Sequence, residues 1–212
     1  MKTSVFDKYA EDYDNWFEKN KFAYLTELQA IKYFFGNSKN SIEIGAGTGK
    51  FAKPLNVGYA LEPSSSMLIE LKKNSNLKIV KAVAENIPYK SNSFETALIV
   101  TTICFVKDAK KTLKEIHRIL KNNGNIIIGF VDKDSPLGAQ YQTNKMKSKF
   151  YKNAIFYSAS EITDLLKQYD FKNIEFIQTL FGDYKTLTEI QIFKKGFGCG
   201  NFIVLKAEKS FG

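Results

Sequence analysis

The stretch from Ser41 to Lys50, SIEIGAGTGK, constrains this chain more than any other. Ile42 and Ile44 bracket Glu43, and Gly45, Gly47 and Gly49 then recur at every second position. This pattern predicts a strand, a tight turn and, from Phe51, Ala52 and Leu55, a helix. Glycine tolerates positive φ and lets a ligand approach the backbone, while a helix start supplies free N–H groups. A dinucleotide fingerprint spaces its glycines G-x-G-x-x-G. Here the spacing is G-x-G-x-G, with an acid two residues upstream. A carboxylate so placed repels a pyrophosphate and suits a ligand that carries an ammonium group. Taken alone, the turn also fits an ordinary strand-to-helix connection.

A second acid narrows the choice. Residues 57–61 form a short apolar run that ends in Glu62, and Pro63 and a serine cluster separate it from the helical pattern Met67, Leu68, Leu71. In doubly wound folds an acid at the carboxyl end of the second strand accepts hydrogen bonds from ribose hydroxyls. Further on, residues 84–95 read AENIPYKSNSFE ahead of an apolar strand, and residues 114–128 read KEIHRILKNNGNIII.

These motifs together resemble the class I S-adenosylmethionine-dependent methyltransferases of the UbiE-like, small-molecule type, specifically over residues 40–131 and by layout elsewhere. The resemblance implies an α/β fold, a doubly wound, mostly parallel seven-stranded Rossmann-like sheet with an N-terminal helical cap over residues 1–36. It implies S-adenosylmethionine as cofactor. Glu43 then faces the methionine moiety, Gly45, Ala46 and Gly47 bring backbone close, and Glu62, followed by Pro63, takes the ribose. Met67, Ala84 and Glu85 fall at the adenine, and Thr101 at the end of the fourth strand. The segment FDKYAEDYDNW, with Tyr13, resembles the element that closes over the cofactor. The family often has Asp where this chain has Val83, so adenine recognition shifts toward backbone groups and packing.

On the acceptor side the resemblance implies a small-molecule methyl acceptor: an amine, a thiol or a quinone-type compound. Strand carboxyl ends border the ligand in open α/β sheets, which places Thr101, Thr102, Cys104 and Phe105 at the transfer centre. Tyr24, Asp132 and Tyr141 are the remaining candidates, and no general base stands out. The sequence after the fourth strand, TTICF, lacks the Asn/Asp-Pro-Pro-aromatic motif of base-nitrogen methylation, and no metal site is expected. Residues 132–158 are polar, basic and aromatic, and a connection this long has structure or function of its own. Cys104, with no histidine near it in sequence, reads as a small apolar packer. His117, the sole histidine, reads as a surface residue.

Within residues 5–35 the latter half predicts a helix with Leu25, Leu28, Ile31 and Phe35 on its apolar face. A single domain over 1–212 is expected, with oligomeric state open. Thirty-one basic and 22 acidic residues leave a net charge of +9, which invites a nucleic-acid partner. Only Arg118 is arginine, so the bidentate forks that read bases and phosphates are nearly absent, and no specific nucleic acid is expected. Lys145, Lys147, Lys149 and Lys152 form the one candidate anion patch, keeping an RNA or protein methyltransferase as a rival reading, beside a non-catalytic cofactor-binding module. No apolar run is long enough to span a membrane, and the N-terminus lacks a signal-peptide core. With two cysteines, a cytoplasmic protein is expected.

Overall fold

A computed structural model describes residues 4–38, 40–73 and 76–210. Five parallel strands form one half of its sheet: β1 (Ser41–Ile44), β2 (Tyr59–Leu61), β3 (Lys78–Val80), β4 (Phe94–Val100) and β5 (Leu120–Val131). Three antiparallel strands extend it: β6 (Phe171–Thr179), β7 (Lys194–Lys195) and β8 (Phe202–Lys209). The order across the sheet is β3-β2-β1-β4-β5-β8-β6-β7. The strand order reverses between β1 and β4, which opens a crevice at their carboxyl ends, the ligand position of doubly wound sheets. The count is eight rather than the expected seven. The extra strand, β7, is two lysines paired to Ile177 and Gln178, and no alternation in so short a polar stretch could announce it.

Three helices precede the sheet: α1 (Ser4–Lys8), α2 (Ala10–Lys19) and α3 (Lys21–Phe35). Then come α4 (Ser65–Lys72), α5 (Ala109–Ile119), α6 (Pro136–Thr143) and α7 (Ala159–Gln168). One face of the sheet is covered by α5 and α7 through Leu113, Ile116, Ile162 and Leu166; the other by α3 and residues 51–57. Ile42 and Ile44 point into the first of these cores, which leaves Glu43 on the opposite face of β1, as alternation requires. No helix among the described residues is long and apolar enough to cross a membrane.

Three local expectations change. Residues 51–56 form successive turns rather than a helix. Pro54 has no N–H to donate, Asn56 lies at φ 53°, and the Val57 N–H reaches back to the Ala52 carbonyl, so the coil closes after one turn. The buried face of α3 is Ala23, Thr26, Glu27, Ala30, Ile31 and Phe35, with Leu25 and Leu28 half-buried. Small residues let this helix lie close on the sheet and turn the larger leucines outward. His117 is half-buried rather than on the surface, edge-on to Phe171 with its Nε2 enclosed and unpartnered.

A glycine-loop cleft and an aromatic chamber

The glycine loop leaves β1 with Gly45, Gly47 and Gly49 all at positive φ. A Cβ at Gly45 would stand 2.3 Å from Thr102 Cγ2, and one at Gly47 3.2 Å from the Tyr13 hydroxyl. The loop therefore presents bare backbone between the end of β4 and α2. Thr102 fastens it by donating to the Gly45 carbonyl at 3.1 Å.

Glu62, at the end of β2, is 3% exposed and clasps the loop. Its Oε2 accepts from the Gly47 N–H at 2.8 Å and its Oε1 from the Ser64 N–H at 2.7 Å. Burial raises its pKa, and these two amides oppose the rise. A carboxylate has about four acceptor positions, so lone pairs remain for a ligand's paired hydroxyls. Glu43 is buried, with Oε2 lacking any partner. Burial pushes its carboxyl up and the Glu62 charge adds to that, against a backbone contact from Ala52. An enclosed, unpaired acceptor beside a second acid is a position that favours a cationic ligand group.

A narrow cleft of about 30 Å³ runs over the loop, lined by Phe6, Tyr13, Gly45, Gly47, Glu62 and Met67 together with Thr101, Thr102 and Phe105. Of the expected cofactor residues, the structure thus gathers Tyr13, Gly45, Gly47, Glu62, Met67 and Thr101 around one space. Ala46 and Pro63 are buried behind it, and Glu43 lies on the sheet side. Ala84 and Glu85 are buried outside this lining; Glu85 Oε1 accepts from the Lys107 N–H at 2.6 Å and tethers the turn before α5. Thr101 itself adopts φ 49°, an uncommon conformation for a non-glycine residue that clusters at functional sites.

Phe6, Tyr13, Thr101 and Phe105 also border a second, much larger cavity of about 490 Å³. Its walls come from α2 (Trp16, Phe17), from α3 (Glu27) and from the segment after β5 (Tyr141, Phe150, Tyr151), with Leu180 and Tyr184 closing the far side. The rings interlock: Tyr151 stacks on Tyr141 with centroids 4.7 Å apart and lies 8° from parallel with Phe105 at 5.7 Å. Phe105 and Tyr141 thus reach the chamber, whereas Tyr24 and Asp132 line neither space. The Tyr24 hydroxyl donates to the Lys50 carbonyl, and Asp132 is buried beside its own turn, accepting from the Asp134 N–H at 3.1 Å. Cys104 sits in a small recess behind Tyr141 and Tyr151, its thiol pushed up to about 12 by burial, as suits a packing residue. Glu27 is the polar wall residue that periodicity hid, since a lone acid in a helical pattern reads as solvent-facing.

Lys149 pairs with Asp12 at 2.9 Å, and Lys147 stands at the chamber rim.

The model of the family described as "Methyltransferase domain" matches residues 42–128. An uncharacterized protein of Methanocaldococcus jannaschii is 41% identical over 206 residues, 97% of this chain and 99% of that protein. A Thermotoga maritima structure described as a SAM-dependent methyltransferase, possible histamine N-methyltransferase, is 43% identical; the match covers 98% of this chain and 99% of that one with a TM-score of 0.94. A ubiquinone/menaquinone biosynthesis C-methyltransferase of Rickettsia bellii is 31% identical over 146 residues, 60% of this chain and 59% of that protein.

Proposed function

This chain belongs to the class I S-adenosylmethionine-dependent methyltransferases, and from that premise we propose that it methylates a small molecule held in the aromatic chamber. The observation that carries the reading is the aromatic-lined cavity of about 490 Å³ sharing Phe6, Tyr13, Thr101 and Phe105 with the cleft over the glycine loop. That size falls within the range of small-molecule sites, roughly 300–1,000 Å³. The aromatic lining, rather than a run of basic side chains, favours a small-molecule acceptor over a macromolecule.

The cofactor supplies an electrophilic methyl group on a sulfonium. The chain's own residues then have three tasks: to hold the cofactor, to orient the acceptor and to exclude water. Glu62 meets the ribose hydroxyls, Glu43 favours the ammonium end, and the backbone of Gly45 to Gly47 lies against the ligand. Met67 gives an apolar contact for the base, and Tyr13 closes over the loop. Thr101 and Phe105 stand where cleft and chamber meet, so the acceptor approaches there.

The test begins with calorimetric titration of S-adenosylhomocysteine into the wild type and Glu62→Ala. Removing the clasp should weaken binding at least about tenfold. Labelled methyl transfer is then followed over amines, thiols and quinols, with tRNA and protein fractions alongside. Label in the small-molecule fraction is expected. Label confined to a macromolecule, or tight cofactor binding with no transfer to any acceptor, would overturn the proposal.

A further inference from the structure

The chamber contains one group that packing alone does not account for. Glu27 is 4% exposed, and among the described residues it makes no hydrogen bond or ion pair. Burial alone raises its carboxyl to about 8, with no cation or donor offsetting it. Buried carboxyls in a core are ordinarily partnered, because leaving one unpaired is costly. Glu27 instead borders open volume.

Its surroundings are aromatic. Tyr141 and Tyr151 each feel the Glu27 charge, as does Tyr24 one turn earlier on α3. Trp16 and Tyr184 face each other at 5.9 Å on the same cavity. Ring faces carry negative potential and attract cations, and a carboxylate among them strengthens that attraction. Lys147 and Lys185 are exposed at the rim, so the interior presents acid and rings without a protein cation.

We propose that the methyl acceptor is an organic amine that enters as its ammonium ion, with Glu27 as its counter-charge and Trp16, Tyr141, Tyr151 and Tyr184 packed around its body; the ammonium gives one proton to the Glu27 carboxylate, and the freed nitrogen lone pair then bonds to the sulfonium methyl as the sulfur–methyl bond breaks and S-adenosylhomocysteine leaves. This assignment rests on the small-molecule reading above and narrows it from amine, thiol or quinone-type compounds to amines.

The experiment compares matched pairs that differ only in charge: 2-phenylethylamine with 2-phenylethanol, tryptamine with tryptophol, and histamine with its alcohol analogue. Binding is measured by calorimetry near pH 8.5 in the presence of saturating S-adenosylhomocysteine. At least one amine should bind about tenfold or more tightly than its alcohol. Glu27→Gln should bring that pair to near equality while leaving S-adenosylhomocysteine affinity unchanged.

A second measurement needs only the wild type. As pH falls below about 8, Glu27 takes up a proton, so the amine's advantage should shrink by up to about tenfold per pH unit. The phenols of Tyr24, Tyr141 and Tyr151 are all pushed upward and stay protonated over this range. The other charged groups bordering the chamber are Asp12, Lys147 and Lys185.

Amines binding no better than alcohols, an advantage that survives Glu27→Gln, or an advantage flat between about pH 6.5 and 8.5 would each overturn the assignment. Failure of the wild type to bind S-adenosylhomocysteine would instead strike the cofactor reading beneath it.

Discussion

Gly45 shows how tightly single positions bind sequence to site. Alanine there would hold φ near +73° and press its Cβ to 2.3 Å from Thr102 Cγ2. Left-handed backbone costs a side chain about 1–2 kcal/mol, and the overlap adds to it. Gly45→Ala should therefore lower stability by at least about 2 kcal/mol, roughly 4–8 °C in a chain of this length. Adding Thr102→Ala should recover the overlap but not the backbone strain; thermal melts of the single and double variants measure both. This constraint was legible in the bare sequence, because glycines on alternate positions have few other uses. Glu27 was not legible. An acid flanked by Thr26 and Leu28 carries no mark of burial until the helix is laid on the sheet. In the unfolded chain it loses its proton near 4.5, whereas in the fold it keeps it to about 8. Between those values the folded chain holds the extra proton, so Glu27 makes stability fall as pH rises, with no further change above about 8. Urea unfolding should show Glu27→Gln gaining on the wild type through that window, by up to a few kcal/mol. Curves that stay parallel from acid to alkaline pH would contradict it.

At the scale of elements, α1 and α2 are tied down over the glycine-loop cleft. Asp7 on α1 accepts from the Ser64 hydroxyl at 2.6 Å, and that bond lowers the Asp7 pKa. Asp14 on α2 accepts from the Thr48 hydroxyl at 2.5 Å. One helix is thus tied to the arm that carries Glu62 and the other to the glycine loop. The cleft between them, about 30 Å³, is far smaller than any nucleoside. On the proposed reading, cofactor entry lifts Phe6 and Tyr13, which line this cleft, together with their helices. Replacing both acids, Asp7→Asn with Asp14→Asn, should speed S-adenosylhomocysteine entry and release several-fold, since bonds to charged groups contribute about 1.5–3 kcal/mol. Trp16, the only tryptophan, rides on α2 against Phe17 and Tyr184 and reports the motion by stopped-flow fluorescence. Rates identical to wild type would mean that these bonds do not hold the helices down. The aromatic N-terminal segment resembled a closing element in sequence. Its two tethers could not be read there, because Asp7 to Ser64 and Asp14 to Thr48 span distances that no local pattern encodes. The same limit hid the breakdown of the helix after the glycine loop, although Pro54 within it was a visible signal.

Across the whole molecule, strands β1 to β4 and residues 125–131 of β5 were legible as apolar runs between breakers, whereas residues 120–124 of β5, LKNNG, read as the stop of the helix before it. The antiparallel half was less so: β7 is two lysines, and placing β8 between β5 and β6 depends on pairing partners 23 or more residues apart in sequence. Packing predicts a gradient of protection across the sheet. Amides of Leu98, Ile127 and Val204, in its buried centre, should exchange hydrogen only on global unfolding, while Ile79 and Lys195 on the two edge strands should exchange much faster. Uniform protection by hydrogen-exchange mass spectrometry would contradict this. The position of β8 also sets an order of events during synthesis. Everything that clasps Glu62 is made early and can pair as it leaves the ribosome, whereas Leu180 and Tyr184 cannot take their places until residues 202–209 have slid in beside β5. The nascent chain can assemble the glycine-loop half of the sheet well before Leu180 and Tyr184 complete the chamber that Trp16, Phe17 and Glu27 begin.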